Sequence, residues 1–219
     1  MSAMFITATG TDVGKTYVAC ALIRALRAEG RAVRAFKPVV SGFDPADTDA
    51  SDPGRLRAAL GDGAPSLEDI SPLRFAAPLS PPLAARLEGV HLELDRLEAL
   101  CRTQIAGDGP LLIEGAGGVM SPLTDEATNL DLIARLTLPV ILVCGSYLGT
   151  ISHTLTALEV LKARGVTVAA IVMSESEGAP DLGETAASLA AFVGEIATLT
   201  APRHADGWDA SDLARRLQL

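Results

Sequence analysis

The sequence predicts an α/β fold, a single P-loop NTPase-like unit spanning residues 1–219 with a mostly parallel sheet and helices on both faces. Three observations carry this. Short apolar runs bounded by Gly, Pro or Asp alternate with longer segments of helical period, the pattern of repeated βα units. All but the first of the runs are nearly continuous in apolar residues, as strands covered on both faces are. The first run leads through a glycine-containing loop ending in Gly-Lys-Thr directly into a helical segment.

In chain order, strands are expected at Met4–Ala8, Ala32–Phe36, Leu111–Ile113, Val140–Cys144 and Val166–Met173. Helices are expected at Gly14–Glu29, Glu93–Ile105, Asn129–Leu136, Thr150–Arg164 and Asp181–Val193. Gly30 and Gly165 follow two of these helices at the position where a left-handed residue ends a helix cheaply. The stretch from Pro38 to Pro82 is rich in Gly, Pro, Asp and Ser, and only a short helical piece near Arg55–Leu60 is expected there. Loops of that length inside a compact fold are usually functional or disordered.

Composition narrows the function. The 219 residues are 48% hydrophobic with a formal net charge of -9, so a sequence-independent nucleic-acid binder, which needs clustered Lys and Arg, is disfavoured. The start of the chain carries no basic region followed by an apolar one, and no run reaches the roughly 18 apolar residues of a membrane span. A cytoplasmic protein without membrane partners is expected. Cys20, Cys101 and Cys144 lie in apolar surroundings without CxxC spacing, and read as buried, reduced thiols.

The loop TGTDVGKT, Thr9 to Thr16, fits phosphate binding. Its N–H groups and the helix N-terminus cradle anionic oxygens, Lys15 reaches the β- and γ-phosphates, and Thr16 offers a hydroxyl to Mg²⁺. Gly14 lets the backbone approach the phosphates closely. The pattern is a variant, with Gly10 as the upstream glycine; a capped helix start with a solvated lysine is the ordinary alternative. LLIEGAGG, Leu111 to Gly118, is a strand ending in Glu114 and a glycine-rich turn. Ligands of parallel sheets bind beyond the carboxyl ends of strands, so Glu114 is expected near Lys15 and Thr16 as a Mg²⁺ ligand. Lys37 ends another strand, followed by Pro38; transfer of a phosphoryl group to an anionic acceptor uses such a second positive charge. Among Asp44, Asp47, Asp49 and Asp52, composition does not select a metal ligand.

The phosphate loop, KPVVSG, FAAPLSPPLAARLEG, LLIEGAGG and PVILVCGSYLGTISHT, in this order over about Phe5 to Met173, resemble the dethiobiotin synthetase family. The resemblance implies an ATP- and Mg²⁺-dependent ring closure of 7,8-diaminopelargonate with CO₂, by a homodimer, in biotin synthesis. It implies further that Lys15, Lys37 and Thr11 are catalytic, and that Thr16, Asp52 and Glu114 hold Mg²⁺. Asp12, Val13, Gly14, Tyr17, Gly115, Ala116, Gly117, Ser174 and Pro202 are implied as nucleotide contacts. Thr11, Lys37, Ser41 and Gly118 are implied for the substrate, with Gly149, Thr150 and Ile151 binding its carboxylate across the dimer interface. Ala8, Asp12 and Ser174 depart from the family pattern. Ser174 stands where the family often has an Asn that reads adenine, and one hydroxyl pairs with fewer base-edge groups than an amide. Looser nucleobase selection is the expectation. Two other classes remain: a P-loop partitioning or metal-delivery ATPase switch, disfavoured by the absence of an early second lysine in the loop, and an amidoligase activating another carboxylic acid.

Overall fold

The computed structural model describes residues 3–204 and 207–219. Its main sheet has six parallel strands in the order β2-β5-β1-β6-β7-β8. These are β1 (Ala3–Ala8), β2 (Arg34–Phe36), β5 (Leu111–Glu114), β6 (Val140–Gly145), β7 (Val168–Ser174) and β8 (Thr198–Ala201). β1 is central. Phe5 lies opposite both Ile113 and Val140, so the first strand is gripped by two strands more than a hundred residues downstream.

Alternation along β1 divides the core. Phe5 joins Ile113, Leu142 and Ile171 on one face, under α5 (Leu94–Ile105), α6 (Asn129–Leu136), α7 (Thr150–Ala163) and α8 (Leu182–Val193). Met4 and Ile6 join Leu112, Ile141 and Val172 on the other, under α1 (Lys15–Ala28), α2 (Asp52–Leu60) and α9 (Ser211–Leu217). Successive side chains of a strand point to opposite faces, and here both faces are apolar. Gly30 and Gly165 adopt φ of 73° and 68° just beyond α1 and α7, as a left-handed helix stop requires. No helix among the described residues is long and apolar enough to cross a membrane.

The segment between Pro38 and Pro82 differs from the irregular loop expected. It holds a two-stranded parallel sheet, β3 (Val39–Ser41) with β4 (Leu73–Phe75), then α2, α3 (Leu67–Ile70) and the start of α4 (Pro81–Leu87). Three-residue strands are too short to display a period. The helical piece expected at Arg55–Leu60 begins earlier, at Asp52, where Ser51 caps it by accepting from the Gly54 N–H and Pro53 sits in its first turn. β8 and α9 were also not expected; α9 seats Leu213 and Ala214 in the α1 side of the core.

Candidate active site

All six strands of the main sheet end on one edge, and β1, β2 and β5 deliver the charged groups there. The chain leaves β1 toward β2 and β5 on one side and returns to β6 on the other, which opens a crevice beyond the strand ends. Beyond Ala8 the phosphate loop bends sharply. Gly14 caps α1 at φ 101°, and a Cβ there would stand 2.4 Å from the Ser174 Oγ, so only glycine fits. Asp12 is also left-handed, at φ 57°.

Lys37 follows β2, and its own N–H donates to the Ile70 carbonyl at 2.8 Å. Its ammonium is 2% exposed and lies 2.6 Å from Glu114 Oε1 and 2.7 Å from Asp52 Oδ2. Thr16 Oγ1 sits 2.8 Å from both Asp52 Oδ1 and Glu114 Oε1, although one hydroxyl hydrogen serves only one acceptor at a time. Glu114 is 1% exposed and its Oε2 has no partner. Two carboxylates and a hydroxyl thus converge, one carboxylate oxygen spare: a hard oxygen set that fits Mg²⁺.

Charge state follows from these contacts. Burial opposes a charged Lys37, but Glu114 and Asp52 outweigh it and hold the ammonium well above the ordinary lysine range. Burial likewise opposes the Asp52 carboxylate, yet Lys37 and the Thr16 hydroxyl draw it down to about 2. Lys15 moves the other way, lowered first by burial and then by the neighbouring Lys37 charge. Its ammonium donates to the Gly10 carbonyl at 3.3 Å.

A cavity of about 550 Å³ opens over this cluster. Thr11, Asp12, Gly14, Lys15, Thr16 and Tyr17 line it from the phosphate loop, Lys37, Ser41 and Asp52 from the β2–α2 region, and Ala116 and Gly117 from the turn after β5. At the far end the Tyr17 hydroxyl donates to the Pro202 carbonyl at 2.7 Å. Most residues expected at the site are therefore brought together.

Several are not. Gly118 packs on the Gly10 backbone, and its N–H is taken by the Ser121 Oγ at 2.8 Å. Val13 is buried in the core and Gly115 donates to the Ile6 carbonyl, neither on the cavity wall. Ser174 is fully buried behind Gly14, its hydroxyl unpartnered, and does not line the cavity. Gly149, Thr150 and Ile151 open α7 away from it; Thr150 Oγ1 bonds the Gly145 carbonyl at 2.5 Å, and no side chain caps the helix. His153 shares a 2.9 Å hydrogen bond with the Tyr147 hydroxyl, a local contact.

Residues 2–201 match a family model described as an AAA domain. The ATP-dependent dethiobiotin synthetase BioD of Caulobacter vibrioides is 60% identical over 97% of this chain and 97% of its own length. The chain belongs to the dethiobiotin synthetase family. The enzymes of that name from Caulobacter sp. strain K31 and Phenylobacterium zucineum are 58% and 55% identical, each covering 99% of this chain and 94% and 95% of their own. Among solved structures, a ParA family ATPase from Chlorobium tepidum superposes with a TM-score of 0.57 at 14% identity, covering 99% of this chain and 95% of its own. The MinC:MinD complex of Aquifex aeolicus gives 0.55 at 10%, with 99% and 86% covered. These two share the fold with this dethiobiotin synthetase family member.

Sequence reasoning assigned no site role to the side chains of Val40, Arg55, Arg203 or His204, and all four line the cavity. His204 is exposed. Arg55 was legible in principle, since it lies three residues after Asp52 and hence on the same helical face.

Proposed function

We propose that this enzyme converts 7,8-diaminopelargonate, CO₂ and ATP into dethiobiotin, ADP and phosphate, the ring-closing step of biotin synthesis. The observation that carries the reading is the meeting of Lys15, Lys37, Thr16, Asp52 and Glu114 at one end of a cavity sized for a nucleotide, in a chain 60% identical to a named dethiobiotin synthetase. One substrate amine adds to the carbon of CO₂ and loses a proton, giving a carbamate. A carbamate oxygen takes the γ-phosphoryl group as ADP leaves. The second amine then attacks the carbamic-phosphoric anhydride at carbon and phosphate departs, closing the ureido ring.

Lys15 and Lys37 flank the transferring group, where two fixed ammonium charges favour the oxygens on which charge builds. Both are nearly buried, which strengthens that effect by excluding water. Thr11 and Ser41, which both line the cavity, hold the substrate's polar head. Thr16, Asp52 and Glu114 are the residues that would hold Mg²⁺, which would supply positive charge to offset the negative charge of the phosphates. Tyr17 and Pro202 border the base end, with Arg203 beside them.

The chain acts as a cytoplasmic homodimer in this proposal. Supporting it, the first turn of α7 has N–H groups without a side-chain cap, a place for a carboxylate. Leu148 beside it is 93% exposed, and Ile151, Leu155 and Val160 form an open apolar shelf along the same helix. Phosphate release measured with and without diaminopelargonate and bicarbonate tests the reading: release that ignores both would mark an ATPase switch instead.

A further inference from the structure

Asn129 is the first residue of α6, fully buried, and outside the cavity wall. Its side-chain nitrogen donates to the Ala116 carbonyl at 2.6 Å and to the Gly118 carbonyl at 2.8 Å. The main chain reinforces the grip: Asn129 N–H donates to the Ser121 carbonyl at 3.0 Å, and Leu130 N–H to the Val119 carbonyl at 2.9 Å. Its Oδ1 has no partner and packs on Gly115, where a Cβ would stand 2.7 Å away. The amide orientation follows from this network, because reversing it would set an oxygen against two carbonyls.

That grip decides where the turn's donors point. Among the described residues no peptide bond is cis, so each carbonyl and the following N–H point in opposite directions. Val119 N–H, which shares a peptide with the inward Gly118 carbonyl, accordingly runs away from Asn129 to the Ala8 carbonyl at 2.8 Å. By the same rule the Gly117 N–H points away from Asn129. It has no acceptor among the described residues, and Gly117 lines the cavity. A Cβ on Gly117 would stand 2.4 Å from the Ser121 Oγ and 3.6 Å from the Thr11 Oγ1, and two residues earlier the Gly115 carbonyl accepts from Lys37 at 3.4 Å. The unpaired N–H therefore belongs to a cavity-wall residue set between the phosphate loop and Ser121.

We infer that Asn129 is a positioning residue of the reaction: by holding the Ala116 carbonyl inward it aims the Gly117 N–H into the cavity as a donor to an anionic oxygen of the transferring group. A preorganised main-chain donor of this kind acts on charge that develops during transfer. The inference rests on the proposed function for the identity of that group, but not for the geometry of the donor.

The test compares wild type with Asn129→Ala and Asn129→Ser. In Asn129→Ala, kcat for diaminopelargonate-dependent ADP formation is expected to fall about tenfold, one charged hydrogen bond's worth. Tm should fall, because two buried carbonyls lose their donor, but ADP affinity should stay near wild type while the affinity advantage of β,γ-imido-ATP over ADP narrows by roughly threefold or more. Asn129→Ser keeps one donor and should recover part of both losses; it also carries the comparison should the alanine variant not fold. Unchanged kcat and an unchanged affinity gap in a folded variant would overturn the inference, as would loss of ADP binding in step with kcat at an unchanged affinity gap, which marks a scaffold role only. If wild type shows no diaminopelargonate-dependent turnover, the proposed function fails, and the affinity gap still reports on Asn129.

Discussion

Lys37 neutralises two carboxylates at once, and its substitution separates electrostatics from nucleotide grip. The ammonium touches Asp52 and Glu114 but no phosphate-loop residue within hydrogen-bond reach. Lys37→Gln is expected to lower kcat by roughly two to three orders of magnitude, the scale of losing one aligned donor, with ADP affinity close to wild type. It also leaves two like charges facing each other, one buried. Added Mg²⁺ should therefore raise Tm more in the variant than in wild type. A normal kcat would remove Lys37 from the mechanism.

Ser174 carries a second prediction at this scale. Its hydroxyl faces Gly14 and is walled off from the cavity, so no side-chain amide at this strand end reads the base. The kcat/KM preference for ATP over CTP and GTP is expected to stay below about a hundredfold, some 2.7 kcal/mol. A larger preference would show that the main chain near Pro202 and Arg203 reads the base. Site residues defined by local motif were legible: Lys15, Thr16 and Glu114 follow from a loop and a strand end. Asp52 was not separable from Asp44, Asp47 and Asp49 by composition, although Ser51-Asp52-Pro53 spells a helix start and thereby marks the one Asp fixed on a rigid element. Asn129 carried no sequence signal, because its partners are main-chain carbonyls with no side-chain identity.

Among the elements, α6 combines tight local capping with a tie to its neighbour. Thr128 and Asp131 form a reciprocal capping box, and Asp131 also pairs with Arg164 at 2.6 Å. The Thr128 N–H is the main reason the Asp131 carboxyl lies below its ordinary value. A carboxylate with a lowered folded-state pKa contributes stability that is fully present above the unfolded value of 3.8 and is lost as pH falls through the lower folded-state value. Asp131→Asn is expected to lower stability by about 1 kcal/mol at neutral pH, with the gap from wild type narrowing progressively as pH falls below about 4. Urea unfolding at about pH 7 and at a series of pH values from about 4 down to about 2 measures both; a gap that does not narrow along the series would show that the charge is not its source. Long periodic helices such as α1, α7 and α8 could be read within a residue or two. β3 and β4 could not, since pairing with each other, rather than pattern, makes them strands.

For the whole molecule, burial of the thiols and exposure of the α7 shelf give opposite expectations about access. Burial pushes Cys20 and Cys101 up to about 12 and Cys144 to about 11. The thiolate is the nucleophile, so the native enzyme should resist a thiol reagent at pH 7.5 and all three cysteines should react in denaturant. Rapid labelling of the native protein would place at least one near the surface. The shelf should instead be covered by a second copy: wild type is expected to sediment as a dimer, and Leu155→Glu as a monomer with a raised KM for diaminopelargonate. A monomeric, fully active wild type would refute this.

The central place of β1 also sets the order of events when the chain is made. The residues that grip it emerge from the ribosome only after Glu114 and then Gly145 have been synthesised, so the phosphate loop leaves the ribosome long before it has a strand to hang from. Contacts of such sequence separation form late because chain closure precedes any reward. A nascent chain shorter than about β6 therefore has the nucleotide-binding motif but no nucleotide-binding site, and must keep the apolar residues of β1 from pairing with other chains in the interval.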